Sequence, residues 1–227
     1  LLRFTSEILD PYLNIETFVF FVGYPRSGHS LLGACLDAHP NAVISHELDA
    51  LDLLKKGVSR TDLFDAICEK ARSFHNEGSI WSGYSYDIPN MWQGRYETIK
   101  VIGDKRGGTS SSHLKDHPEL LEEVKKLAPK YKILHLIRNP YDCISTSVMK
   151  REIKQNKIFT TDDLLRKAGH FFQKAEVIAD LIETENDAVL TIRHEDLIEN
   201  PSKTVSNACI FLGLPIIDEY LAACKLK

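Results

Sequence analysis

Gly23 to Ser30 read GYPRSGHS, a G-x-x-x-x-G-H-S loop between the apolar run Phe18–Val22 and a helical pattern that begins at Ser30. Strand, tight glycine turn, then helix is an arrangement that points backbone N–H groups and a positive helix end at an anion. Gly23 and Gly28 allow the turn and a close approach of the ligand. Ser27 and Ser30 add hydroxyl donors, and Arg26 adds a permanent positive charge. An ATP- or GTP-binding loop carries lysine where His29 stands. The chemistry indicated is phosphate-like anion binding without that lysine.

The elements that must position this loop follow from apolar patterning. Short apolar runs alternate with longer helical patterns, which predicts an α/β fold of βα units around a mostly parallel sheet. Five strands are expected, at Phe18–Val22, Ala42–Ser45, Ile99–Ile102, Lys132–Ile137 and Val189–Arg193. Helices are expected at Ser30–His39, Thr61–Phe74, Pro118–Leu127, Tyr141–Gln155, about Thr161–Glu183, and Ser202–Leu212. In TTDDLL a threonine N-cap precedes acids in the first turn, and Gly213 with Pro215 reads as a stop. The segment Ser73–Glu97 breaks the pattern with Trp81, Tyr84, Tyr86, Trp92 and Tyr96. Long irregular loops of that kind often cover a site, so Trp81, Tyr84, Tyr86 and Trp92 are candidate substrate contacts.

Composition bounds the rest. No repeat or linker-like run divides the 227 residues, so residues 1–227 read as one domain, long enough for a full core. The net charge of −4 argues against a general nucleic-acid surface, so any anion site must be local. The set Lys150, Arg151, Lys154 and Lys157 reads as a solvated helix face. Phe18–Val22 is too short to span a bilayer and no signal peptide is visible, although the first residue is Leu1 rather than methionine, as in a portion of a longer chain. Five cysteines without a C-x-x-C pair read as structural thiols and favour a reducing, cytoplasmic setting. No clustered Asp/Glu set or H-x-x-x-H pattern calls for a metal.

Three motifs resemble one family. YPRSGHSLL is similar to the 5′-phosphosulfate loop of the sulfotransferases, P-[KR]-[ST]-G-[TS]-[TS], in which the cation precedes the glycine as Arg26 does. Arg26 then replaces the missing lysine from two positions upstream of Gly28, and His29 stands where threonine is usual. LHLIRNPYDCISTSVMKR resembles the family's 3′-phosphate motif, which implies Arg138 and Thr146 as ligands with Ser145 and Ser147 beside them. TIRHEDLIENPSKTVSNACIFLGLP resembles the closing strand–helix signature and reads as mostly architectural, with Arg193 or Glu195 as buried organisers or surface pairs. Many members also carry a Gly-rich basic loop near the C-terminus, and none precedes Lys227.

The resemblance spans about Phe18 to Pro215. It implies a P-loop-like three-layer sandwich and transfer of a sulfuryl group from 3′-phosphoadenosine 5′-phosphosulfate (PAPS) to a hydroxyl or amine, leaving the bisphosphate PAP. In-line transfer needs a base, cations on the leaving oxygen and a dry pocket. Glu47 or His46, just after the second strand, could be the base, and the resemblance to tyrosylprotein-type and bacterial-type members favours Glu47. Lys105 resembles the leaving-group lysine of those members, with Arg26 at the same end of the reaction. The acceptor is expected to be a small-molecule, glycan or peptide hydroxyl. The competing readings are a small kinase or other NTP-using enzyme, and a non-catalytic nucleotide-binding module.

Overall fold

The phenylalanine-rich run at Phe18 lies in the middle of a sheet. In the computed structural model, which describes residues 10–155 and 160–225, β1 (Thr17–Gly23) is buried along its whole length. Alternate side chains enter opposite cores, as strand geometry demands. Phe18, Phe20 and Val22 join one apolar cluster, and Val19 and Phe21 join the other.

After β1 come α1 (His29–Asp37), β2 (Ala42–His46), α2 (Ala50–Lys55) and α3 (Arg60–Asn76). A small hairpin, β3 (Ile80–Trp81) and β4 (Tyr84–Ser85), precedes β5 (Val101–Lys105), α4 (Gly108–Asp116) and α5 (Leu120–Lys125). The chain continues through β6 (Lys130–Ile137), α6 (Pro140–Gln155), α7 (Thr161–Thr184), a 3-10 turn (Asn186–Ala188) and β7 (Val189–Arg193). It ends with α8 (His194–Glu199), α9 (Pro201–Leu212) and α10 (Asp218–Lys225). The five-stranded sheet has the order β2-β5-β1-β6-β7, and every pairing is parallel. Leu63, Phe64 and Ile67 of α3 pack with Ile178 and Leu181 of α7 in one cluster. Leu32 and Leu36 of α1 pack with Val205, Ala208 and Leu212 of α9 in the other. Helices on both faces of the sheet make the expected three layers.

Local signals placed most elements well. Thr160 and Asp163 form a reciprocal capping box at the start of α7, and Gly213 takes the left-handed conformation after α9. The differences are instructive. β5 lies at Val101–Lys105, two residues beyond the expected start and three beyond the expected end, because Gly103-Asp104-Lys105 is poor strand sequence. Gly103 is held there by packing on β1, and Asp104 by the buried hydrogen bonds described below. α2, α4, α8 and α10 were not expected. α4 is GTSSSHLKD, weak helix sequence that tertiary contacts with β1 and α7 hold in place. α5 is shorter than the expected Pro118–Leu127.

The aromatic segment is not wholly irregular. Ile80–Trp81 pairs antiparallel with Tyr84–Ser85 around Ser82 and Gly83, both at positive φ (53° and 84°), as in a tight two-residue hairpin turn. All five cysteines are buried, and none is in a disulfide. Among the described residues no helix is long and apolar enough to cross a membrane. The side chains of Lys150, Arg151, Lys154 and Lys157 lie outside the described residues.

Candidate active site

Parallel strands deliver their C-terminal ends to one edge of the sheet, and there β1, β2, β5, β6 and β7 surround a cavity of about 880 Å³. Arg26, Gly28, His29 and Ser30 line it from the loop, Glu47 and Arg106 from β2 and β5, and Arg138 from β6. The loop turns sharply, with Arg26 at φ 73° and Gly28 at φ 99°. A side chain on Gly28 would also strike His194, whose Nδ1 would stand 2.4 Å from the added Cβ. The first N–H groups of α1 have no intrahelical partner by helix geometry and open into this edge. Among the described residues the Arg26 guanidinium has no ion pair, so it is free to meet an anion.

His29 does something other than present a charge. Its ring is buried, and Nε2 donates to the Val22 carbonyl at 3.1 Å. Burial, with smaller contributions from Lys105 and His135, pushes this imidazole down to about 3, so it is neutral. Ser27 also turns inward: its hydroxyl donates to the Tyr24 carbonyl at 2.9 Å and lies 3.2 Å from His29 Nδ1. Of these two, only His29 lines the cavity; the Ser27 N–H is held by the Tyr24 carbonyl at 3.4 Å.

A charged cluster sits beside the loop. Lys105, the last residue of β5, is 1% exposed, and its stem lies over Gly33, where a Cβ would stand 2.9 Å from Lys105 Cγ. Its ammonium donates to Glu47 Oε1 at 2.6 Å, Ser30 Oγ at 3.2 Å and His46 Nε2 at 3.2 Å. All three ammonium protons therefore have acceptors. Arg106 donates to Glu47 Oε2 at 2.7 Å. Burial depresses the Lys105 ammonium while Glu47 supports its charge. His46 is stacked on Phe74 with ring centres 4.0 Å apart, and burial and Lys105 push it down to about 3. It is thus a neutral acceptor that orients Lys105.

Asp104 explains how Glu47 is held. Its buried carboxylate accepts from Ser45 Oγ at 2.8 Å and from the backbone N–H of Leu48, Asp49 and Ala50 at 2.9–3.1 Å. This fixes the turn from β2 into α2, in which Glu47 takes a left-handed φ of 62°. The cost of that conformation is offset by surroundings that over-determine it.

On the β6 side, Arg138 donates from Nη1 to the Arg26 carbonyl at 3.2 Å, which ties the two motifs together. α6 turns Cys143, Ile144 and Ser147 toward the cavity. Ser145, whose hydroxyl donates to the Asp142 carbonyl, and Thr146 are outside its wall. Trp81, Tyr84 and Tyr86 line it as expected, and Tyr86 is near enough to Ser30 and Arg26 for both to oppose the upward push of burial on its phenol. Trp92 does not line it. The Trp92 N–H donates to Ala38 O at the C-terminal end of α1, the sheet edge opposite the loop, and Arg95 covers its ring.

A sequence model described as the Sulfotransferase family matches residues 19–219. The chain belongs to the sulfotransferase family. Its members are PAPS-dependent enzymes, and this sulfotransferase shares the fold of solved structures across most of its length. The sulfotransferase domain of the Synechococcus PCC 7002 olefin synthase is 21% identical, with a TM-score of 0.57, covering 92% of this chain and 76% of that one. The sulfotransferase domain from the curacin biosynthetic pathway is 18% identical at 0.58, covering 92% and 78%. Mouse sulfotransferase SULT7A1 complexed with PAP is 18% identical at 0.53, covering 97% and 69%. A comparison with curated proteins returns no significant match.

Several residues of this sulfotransferase's cavity escaped the sequence reading. His194 follows directly on β7, so its place after a parallel strand was a usable signal. Arg193 and Glu195 form only a loose surface pair at 3.9 Å, while the Asn139 backbone holds Glu195. Lys167, His170 and Lys174 of α7 had no local signal at all.

Proposed function

We propose that this chain transfers a sulfuryl group from PAPS to a hydroxyl acceptor, with Glu47 as general base. The arrangement that carries the reading is the pairing of an anion loop with a carboxylate–lysine–arginine cluster on one cavity edge. Donor and site are chemically matched: Arg26 and the open N–H groups of α1 face the space a phosphosulfate nucleotide needs, and the His194 ring closes the loop side of it over Gly28. Arg138 suits the 3′-phosphate, with Ser147 of α6 on the cavity wall beside it and Thr146 and Ser145 outside that wall.

The donor supplies an electrophilic sulfur and a phosphate leaving group. The acceptor oxygen forms a bond to sulfur as the bond from sulfur to the 5′-phosphate oxygen breaks. The acceptor proton passes to Glu47, and the negative charge appears on the phosphate oxygen. Each Glu47 oxygen holds one cation and keeps a further lone pair for the hydroxyl. His46 is disfavoured as base, since it is neutral to about pH 3 and its Nε2 already accepts from Lys105. Arg26 is placed to meet the developing charge, and Lys105 can do so by exchanging its Ser30 contact for it. The hairpin aromatics shape the acceptor side.

Labelled-PAPS assays over phenols, alcohols, glycans and peptides test the proposal, and label transfer to at least one hydroxyl class is expected. Preference for ATP over PAPS would point to a kinase. Tight PAP binding with no turnover on any acceptor would leave only a binding module.

A further inference from the structure

The wall of the cavity formed by α7 carries positive charge that the sulfuryl-transfer machinery does not use. Lys167, His170 and Lys174 are spaced by three and four residues, so they share one face of the helix, and all three line the cavity. Phe171, between them, stacks on Tyr24 with ring centres 4.0 Å apart and a 17° interplanar angle. Tyr24 is two residues before Arg26, so this contact docks the cationic face directly against the anion loop.

Among the described residues, no carboxylate pairs with Lys167, His170 or Lys174. Lys174 Nζ has only a hydroxyl partner, Ser112 Oγ at 2.8 Å. Lys115 adds a further cation from the last turn of α4, and its own contact is the neutral Gln173. Burial and the neighbouring lysines depress both the Lys174 ammonium and the His170 imidazole, with Asp116 offsetting this only in part for Lys174. Lys167 and the half-buried Lys174, side by side on one wall, raise the local positive potential, and a bound anion relieves it, while His170 is exposed and adds a neutral ring. Glu47 cannot be that anion, because both its oxygens already hold cations of the β5 end.

Resting on the sulfotransferase reading above, we propose that the acceptor is itself acidic: a hydroxyl compound bearing a carboxylate or other oxyanion, which Lys167 and Lys174 hold while its hydroxyl lies at Glu47. The hairpin aromatics Trp81 and Tyr84 would flank the body of the molecule between these ends.

The test uses the enzyme saturated with PAP, so that the donor site is filled and needs no turnover. Calorimetry compares matched carboxylate and carboxamide probes: 4-hydroxybenzoate with its amide, glucuronate with glucuronamide, and 3-hydroxydecanoate with its amide. In at least one pair the carboxylate should bind tenfold or more tighter than the amide. Lys167→Gln/Lys174→Gln should abolish that preference while PAP affinity stays unchanged. Equal binding within every pair, no binding by any probe, or a preference that survives the double variant would each overturn the proposal. So would a loss of PAP affinity in the variant, which would assign the lysines to the donor. Failure of the unaltered enzyme to bind PAP at all would instead bring down the sulfotransferase reading on which the proposal rests.

Discussion

Lys105 and Lys174 serve the same cavity and are handled in opposite ways. Lys105 is fully enclosed, donates all three protons to protein acceptors and has its counterion, Glu47, supplied by the neighbouring strand. Lys174 is half-buried, holds one hydroxyl and is surrounded mainly by other cations. A charge with every partner built in is organised before any ligand arrives, which suits chemistry. A charge without a counterion stores unfavourable energy that only a ligand releases, which suits recognition.

The sharpest way to break this contrast is at Glu47. Glu47→Gln keeps shape and hydrogen bonding but cannot take a proton, so kcat should fall at least about 10²-fold while PAP affinity barely changes. His46→Ala should be milder, because that ring only orients Lys105. If His46→Ala abolishes turnover and Glu47→Gln stays nearly active, the base is the histidine and the enclosed cluster has been misread.

Next in size are the cations. Arg26→Ala and Lys105→Ala should each lower kcat about 10²-fold. Because Lys105 is enclosed, its variant should be compared by melting as well. Near-normal turnover in both would remove the leaving-group assignment. On the donor side, PAP should bind roughly tenfold or more tightly than AMP, since a lost charge-assisted contact at Arg138 costs about 1.5–3 kcal/mol. Equal affinities would sink that assignment.

The neutral histidine behind the loop gives a pH test. His29 is held down at about 3 by burial, against an unfolded value of 6.5. Between those values the unfolded chain binds the proton and the folded chain does not, so this contribution to stability is complete above pH 6.5 and is lost as pH falls. Asp37, pushed up to about 7 by burial, acts in the opposite direction, so the whole-protein slope mixes signs. His29→Asn isolates the first effect. Between pH 6 and 4 the difference in stability between native and variant should change by about 1.4 kcal/mol per pH unit, and parallel curves would mean that His29 titrates normally.

The smallest effect should separate two tryptophans. Ala at Trp81, Tyr84 or Tyr86 should shift acceptor KM about three- to tenfold with PAP affinity intact. Trp92→Ala should leave KM alone and lower stability instead. An acceptor KM that responds to Trp92 as strongly as to Trp81 would undo the assignment of the cavity wall.

By itself the sequence determined what local physics encodes. The apolar run of β1, the glycine turn, Arg26 ahead of Gly28, and the capping box of α7 are short-range signals, and each stands where it was expected. The order of the five sheet strands and of six helices followed from the alternation of those signals, whereas α2, α4, α8, α10 and the β3–β4 hairpin did not. Tertiary structure decided the rest, because side-chain roles depend on which sheet edge and which helix face meet. Lys105, Asp104 and Gly103 read as loop chemistry until packing on β1 and the α2 turn draws them into β5. Trp81 and Trp92 occur in one aromatic segment, yet the chain carries them to opposite edges of the sheet. The α7 lysines look like any solvated helical charges until Phe171 stacks on Tyr24 and turns them inward. Propensity acts over a few residues, whereas this cavity is assembled from five strand ends, the hairpin and helices α1, α4, α6, α7 and α8, distant in the chain. Its charge balance is therefore a property of the fold.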